Sequence, residues 1–288
     1  IYKFERINKI TKMTLPPPIS DAPLQLWCKK FSDVAHFCST TTGGPHAEIN
    51  LNFHHAFIQN HRQTTLFQKL LLSVGSASVS LLDPSRGDMI AVLGETTGPI
   101  ALERMLQKMQ SSSEGQQILR EQPRINSSTV HLQSLSTLPK GTVGRVYIDF
   151  LQKNKVTPDS RPAVQFVDDE QLAYVMQRYR EVHDLIHAIL RMPTNMLGEV
   201  TVKWVEALQF GLPMCVGGGL FGAVRLKPKQ RLAYVTQNLP WAIKTGLTSN
   251  FLLNVYFEQR WEQKLDDLLK ELNIQPLKIE TPPAAPKN

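Results

Sequence analysis

The stretch from Asp168 to Pro193 constrains the fold most, because one regular structure satisfies its spacing. Leu172, Met176, Tyr179, His183 and Leu190 recur at intervals of four, three, four and seven residues, the period of a single helix face. Asp168 and Asp169 supply the start, with acids well placed against the N-terminal dipole. Pro193 supplies the stop, since it lacks an N–H and disfavours helix at Met192. The spacing therefore predicts a helix that runs to about Met192.

That helix carries His183-Asp184-Leu185-Ile186-His187, and Glu199 follows after eleven further residues. At about 100° per residue, His187 lies only about 40° round from His183 and one turn along, so both imidazoles can meet one divalent ion. Asp184 sits at the edge of the same arc. It can bend in as a third ligand, or stay back to orient an imidazole or act as a base. Glu199 arrives on the next element, and a helix–turn–helix can bring it back over the histidine face. Two neutral nitrogens with one or two carboxylates suit zinc, or non-haem iron or manganese, better than calcium or a soft copper site. The competing reading is a hydrogen-bonded core histidine on an apolar stripe.

Thirty-two Lys and Arg against 25 Asp and Glu leave a formal charge of +7, with no dense basic block. Nucleic acid is therefore not the partner. A diffuse positive charge is met by a solvated surface, an anionic membrane surface or an anionic substrate. Cys28, Cys38 and Cys215 form no disulfide framework and no CxxC pair, which fits a reducing compartment. No apolar run reaches the roughly 18 residues of a membrane span.

The 288 residues can bury one substantial core. Residues 1–62 read as a presequence and linker without regular structure, mixing lysines and Ser/Thr with Pro16-Pro17-Pro18 and Gly43-Gly44-Pro45. Residues 63–274 read as an all-α domain, and the proline-rich 275–288 as a disordered tail. Within the domain, helices are expected from Thr64 or Thr65 to Asp83, from Pro99 to Met109, from Ser113 and over 126–135. Val143–Phe150 has both strand and helix spacings, and helix is chosen because no partner strand appears. Further helices are expected from Asn195 to Phe210, over 230–245, and from Phe251 to Leu272. Two stretches rich in small residues, 70–82 and 214–224, suit close helix packing, a long hydrophobic ligand or a bilayer. The second lacks GxGxxG spacing and a preceding strand, so a dinucleotide site is a poor reading.

Several stretches in this order resemble the ubiquinone (coenzyme Q) biosynthesis protein COQ-four family. They are Asp83-Pro84 with Arg86, Leu93-Gly94-Glu95-Thr96-Thr97-Gly98, Arg178 to His187 with Glu199, Gly211-Leu212-Pro213, Leu239-Pro240-Trp241 and Asn254-Val255-Tyr256. The likeness spans about Thr64 to Leu272, and the first sixty residues lie outside it. The resemblance implies an all-helical protein at the matrix face of the mitochondrial inner membrane, attached peripherally, with an N-terminal transit peptide. It implies work with other coenzyme Q biosynthesis proteins in a multi-subunit complex, on polyprenylated benzoate and quinone intermediates, and leaves a homo-oligomer open. It further implies zinc at His183, Asp184, His187 and Glu199, although another divalent metal fits the same ligands. The implied reaction is loss of the C1 carboxylate from 4-hydroxy-3-methoxy-5-polyprenylbenzoate, by simple or oxidative decarboxylation. Asp184 and Glu199 are the candidate catalytic residues. A non-catalytic scaffold that presents a lipid intermediate, with a structural metal, is the alternative. Ligands without cysteine lean toward catalysis.

Overall fold

The computed structural model describes residues 46–277, with side chains from Phe53 onward. The expected presequence up to residue 45, the last eleven residues, Cys28 and Cys38 lie outside the described residues. Those described form one all-helical domain; among them the sole β contact is an isolated bridge between Thr142 and Lys264.

The organising element is α8, Glu170–Ile189, capped by Asp169, whose carboxylate accepts from Leu172 N at 2.9 Å. Residues from Ala173 to its end are buried, charged groups included. Three of those charges explain how. Arg178, Arg180 and Glu181 point in different directions round the helix, and each is met by a different segment. Arg178 pairs with Glu258 and donates to Val255 O at 3.0 Å. Arg180 pairs with Glu95 at 2.5 Å and donates to Pro162 O and Ala91 O. Glu181 accepts from Arg124 at 2.7 Å and from Ile125 N at 2.8 Å. Buried charges persist only where paired and hydrogen-bonded, so these ties fix the rotation of α8 and therefore where its histidines face.

Around α8 stand α1 (His46–Asn60), α4 (Pro99–Gln110), α7 (Val143–Asn154) and α9 (Met196–Phe210). The linker expectation for residues 46–60 is corrected by α1, whose Phe53 is buried edge-on against Tyr174, at 5.2 Å between ring centroids. That apolar contact compensates for ordering the turn. At the other end Leu277 still packs on the core, and Gln275 O accepts from Trp241, so the folded part runs past residue 274. Thr142 caps α7, which buries Val143, Tyr147, Ile148 and Leu151 on one face, the helical alternative for that stretch.

Three helix expectations differ from what forms. Residues 126–130 make turns instead of helix, because the Asn126 side chain accepts from Ser128 N and Thr129 N, both at 3.0 Å; α6 is only Leu132–Thr137. The expected helix over 230–245 divides into α11 (Pro228–Ala233), a π turn (Tyr234–Asn238) and α12 (Leu239–Thr248). The π turn precedes Pro240, which has no N–H for a continuous helix. From Phe251 the chain takes two 3₁₀ turns before α13 (Leu265–Glu271). Its backbone serves outside partners there: Val255 O takes the Arg178 bond and Tyr256 N donates to Glu114.

Two further helices face outward. In α2 (Leu66–Leu82), capped by Thr65, Ser76 is buried while Leu66, Phe67, Leu70, Leu71 and Val74 are exposed. Ser73, Ser76 and Ala77 lie on the less exposed side of α2, which packs against α3 (Gly87–Thr97), while Gly75 and Ser78 are exposed with the leucines. In α10 (Pro213–Val224) the glycines face α9: a Cβ at Gly219 would meet the Trp204 ring at 3.0 Å, and one at Gly222 would meet Val200 at 2.6 Å. Of the readings open for residues 214–224, close helix packing takes this glycine side, while Leu220, Phe221 and Val224 stay exposed.

Candidate metal centre

His183 and His187 lie one turn apart on α8, their rings 4.8 Å apart and nearly perpendicular. The chain then reverses in six residues. Arg191 takes a left-handed backbone (φ 56°), His187 O accepts from Met192 N at 2.9 Å, and Asn195 caps α9 by accepting from Gly198 N at 3.0 Å. Gly198 is required here, because a Cβ would collide with the Pro193 carbonyl. This tight reversal sets Glu199, in the first turn of α9, against the histidines.

The resulting triad is compact. Glu199 Oε2 lies 3.4 Å from His187 Nε2 and 4.0 Å from His183 Nε2, and one ligand atom from each of the three residues falls within 4.8 Å of the others. Both outer nitrogens are engaged. His187 Nδ1 donates to Met192 O at 3.3 Å, and His183 Nδ1 donates to Glu206 Oε1 at 2.5 Å. A proton on each Nδ1 leaves each Nε2 with a lone pair directed at the triad, the tautomer of a metal-binding histidine. His187 Nε2 is buried without a hydrogen-bond partner. A buried acceptor left unpaired costs about 1–3 kcal/mol, so the orphan fits a cation between the three residues. The donor set of two nitrogens and one carboxylate fits zinc in a site that keeps positions open.

The electrostatics agree. Burial pushes the His183 imidazole below its ordinary value despite the pull of Glu206, favouring the neutral ring that binds metal. Burial would raise the Glu199 carboxyl, but neighbouring His187, His183 and Lys203 draw it down to about 2. Burial pushes the Cys215 thiol up to about 12, so that sulfur stays protonated.

Asp184 stands apart from the three. Its Oδ1 accepts from Arg161 Nη2 at 2.7 Å, and it is not among the residues whose ligand atoms converge. Sequence reasoning missed two residues of the centre, Glu206 and Lys203. Glu206 is wholly buried and accepts from His183, from Lys203 at 2.6 Å and from Tyr179 at 3.0 Å. Burial alone would raise its carboxyl, but His183 and Lys203 hold it well below the usual range. A signal was present: Glu199, Lys203 and Glu206 fall at i, i+4 and i+7, so the three charged residues of this helix share one stripe.

Comparison with known proteins follows the same boundaries. The family described as "Coenzyme Q (ubiquinone) biosynthesis protein Coq4" matches residues 58–278. A Bombyx mori protein named "Ubiquinone biosynthesis protein COQ4 homolog, mitochondrial" is 57% identical over 224 residues, 78% of this chain and 86% of its own. An Anopheles gambiae protein of the same name is 50% identical over 262 residues, 86% of this chain and 93% of its own. The crystal structure of a putative ubiquinone biosynthesis protein from Nostoc punctiforme superposes with a TM-score of 0.57 at 19% identity. It covers 73% of this chain and 98% of that one, a likeness of fold.

Proposed function

Because the chain belongs to the Coq4 family of coenzyme Q (ubiquinone) biosynthesis proteins, we propose that it removes the C1 carboxylate of 4-hydroxy-3-methoxy-5-polyprenylbenzoate. On this reading the chain is a lyase, and a divalent ion, zinc before others, is held by His183, His187 and Glu199. The observation that carries the reading is the pair of buried imidazoles whose Nδ1 atoms are engaged and whose Nε2 atoms converge on a carboxylate. Such an ion acts as a Lewis acid on a carboxylate or phenolate oxygen. The protein's part is positional. His183 and His187 are oriented by their Nδ1 hydrogen bonds, and Glu199 closes the triad from the half-exposed side.

A proton added at C1 makes that carbon tetrahedral, with the para oxygen carrying the ring's charge. The C1–carboxylate bond then breaks, its electron pair restores the aromatic ring, and CO2 leaves. Asp184, beside His183 and hydrogen-bonded to Arg161, is the group we assign to hold and move that proton. Glu199, the second candidate, serves only if it leaves the ion; otherwise it is a ligand. The competing role is a scaffold that binds the polyprenyl tail and passes it on. Trapping CO2 from a short-tailed 4-hydroxy-3-methoxybenzoate separates the two. Release by the purified, metal-loaded chain supports the enzyme. Tail binding without release supports the scaffold.

The same proposal places the chain peripherally on the matrix face of the mitochondrial inner membrane, in a complex with other coenzyme Q biosynthesis proteins; the relatives' names say mitochondrial. No helix among the described residues is long and apolar enough to cross a membrane. The exposed Leu66, Phe67, Leu70 and Leu71 of α2, with Leu220, Phe221 and Val224 of α10, suit shallow contact with acyl chains. Alkaline carbonate should release the protein from mitochondrial membranes; retention in the pellet would contradict peripheral attachment.

A further inference from the structure

We propose that Arg161 receives the carboxylate of the aromatic acid, at a subsite adjoining the triad. The inference rests on the decarboxylase reading and names the group that would hold the leaving carboxylate. Two cations have charges that reach Glu199, and they are used differently. Lys203 is saturated inward, its Nζ donating to Glu206 at 2.6 Å and to Tyr179 at 3.1 Å. Arg161 follows the short 3₁₀ turn Pro158–Ser160 and spends one Nη2–H on Asp184. Its side chain is 37% exposed, whereas Asp184 is 8% exposed. Nε and Nη1 have no protein acceptor among the described residues.

A guanidinium tethered at one corner, with its remaining N–H groups open to solvent, matches the two oxygens of a planar carboxylate. A second observation concerns the same pair. The Tyr147 hydroxyl is buried without a hydrogen-bond partner, and it senses the charges of both Asp184 and Arg161. An unpaired buried donor is a standing cost that a bound polar group can relieve. The pair also works if Asp184 turns toward the ion, because Arg161 then exchanges one carboxylate for another. Arg161 is thus assigned as a substrate-binding residue that discriminates an acid from its neutral counterpart.

The test uses the full zinc-loaded chain and two probes with the same short prenyl tail, a 4-hydroxy-3-methoxybenzoate and its methyl ester. The wild-type protein should prefer the acid, and Arg161→Gln should cut that preference by about 10- to 100-fold, as expected for a lost charge-assisted contact, with zinc content and ester affinity unchanged. Arg161→Lys, which keeps charge without the planar fork, should retain part of the preference. If Arg161→Gln loses zinc or cooperative melting, Arg161→Lys carries the test: a several-fold loss of preference supports the assignment, and an unchanged preference overturns it. An unchanged preference in a zinc-replete Arg161→Gln protein also overturns it, with the decarboxylase reading left standing. Failure of the wild-type chain to bind either probe would overturn that reading and the assignment together.

Discussion

Replacing His187 with alanine is expected to strip the chain of bound metal, from about one equivalent per chain to background, while its helices remain in place. The imidazole is fully buried between His183 and Phe150, at 4.8 and 5.9 Å between ring centroids, and its Nε2 has no partner in the protein. Truncating a buried side chain of this size costs roughly 2–5 kcal/mol through the cavity it leaves. Removing the orphaned nitrogen offsets roughly 1–3 kcal/mol of that. The helix is held from three sides by the Arg178, Arg180 and Glu181 ion pairs, none of which involves His187. Elemental analysis with far-ultraviolet circular dichroism checks both halves. Global unfolding of the variant would instead mark the centre as structural, in line with the scaffold role.

The second large effect belongs to Glu206, a residue outside the HDxxH motif. Glu206→Gln keeps the shape and removes the charge: Lys203 loses its counter-ion, and one amide oxygen cannot serve His183, Lys203 and Tyr179 as two carboxylate oxygens do. Breaking a buried ion pair from one side costs about 3–5 kcal/mol, which for a domain of this size lowers the melting temperature by about 6–20 °C. Loss of an outer-sphere carboxylate on a metal-binding histidine lowers metal affinity by about 10- to 100-fold. Calorimetry and a competitive zinc titration read the two effects separately. A variant that melts within about 1 kcal/mol of wild type and keeps its zinc affinity would show that Glu206 is neither a counter-ion nor an orienting group.

What the sequence made legible follows from the range of the interactions involved. The 3.6-residue period of α8, its Asp169 cap and the Pro193 stop are local, and local rules place them. The meeting of Glu199 with the histidines needed one more element, a short reversal that Asn195 and Gly198 build from sequence-adjacent residues. Arg161 and Asp184 are a different case. They are 23 residues apart on separate elements, and no spacing links a residue after a 3₁₀ turn to one carboxylate of a helix. The stretch after Phe251 failed for a related reason. Its apolar pattern reads as a helix, but its backbone groups are claimed by Arg178 and Glu114 from elsewhere in the fold. Exposure was the hardest property to read. The leucines of α2 have the composition of a core helix, yet Leu66, Leu70 and Leu71 are exposed and Ser76 is the buried residue.

The central claim is that the His183, His187 and Glu199 centre carries out chemistry on the head group. Its most direct test is CO2 release from the short-tailed 4-hydroxy-3-methoxybenzoate through one cycle of metal removal and restoration. The account predicts release that disappears on chelation and returns with one equivalent of zinc per chain, and an Asp184→Asn protein that keeps its metal but releases no CO2. Release that persists after the metal is gone, or none from the restored wild-type chain while it still binds the prenyl tail, would contradict it.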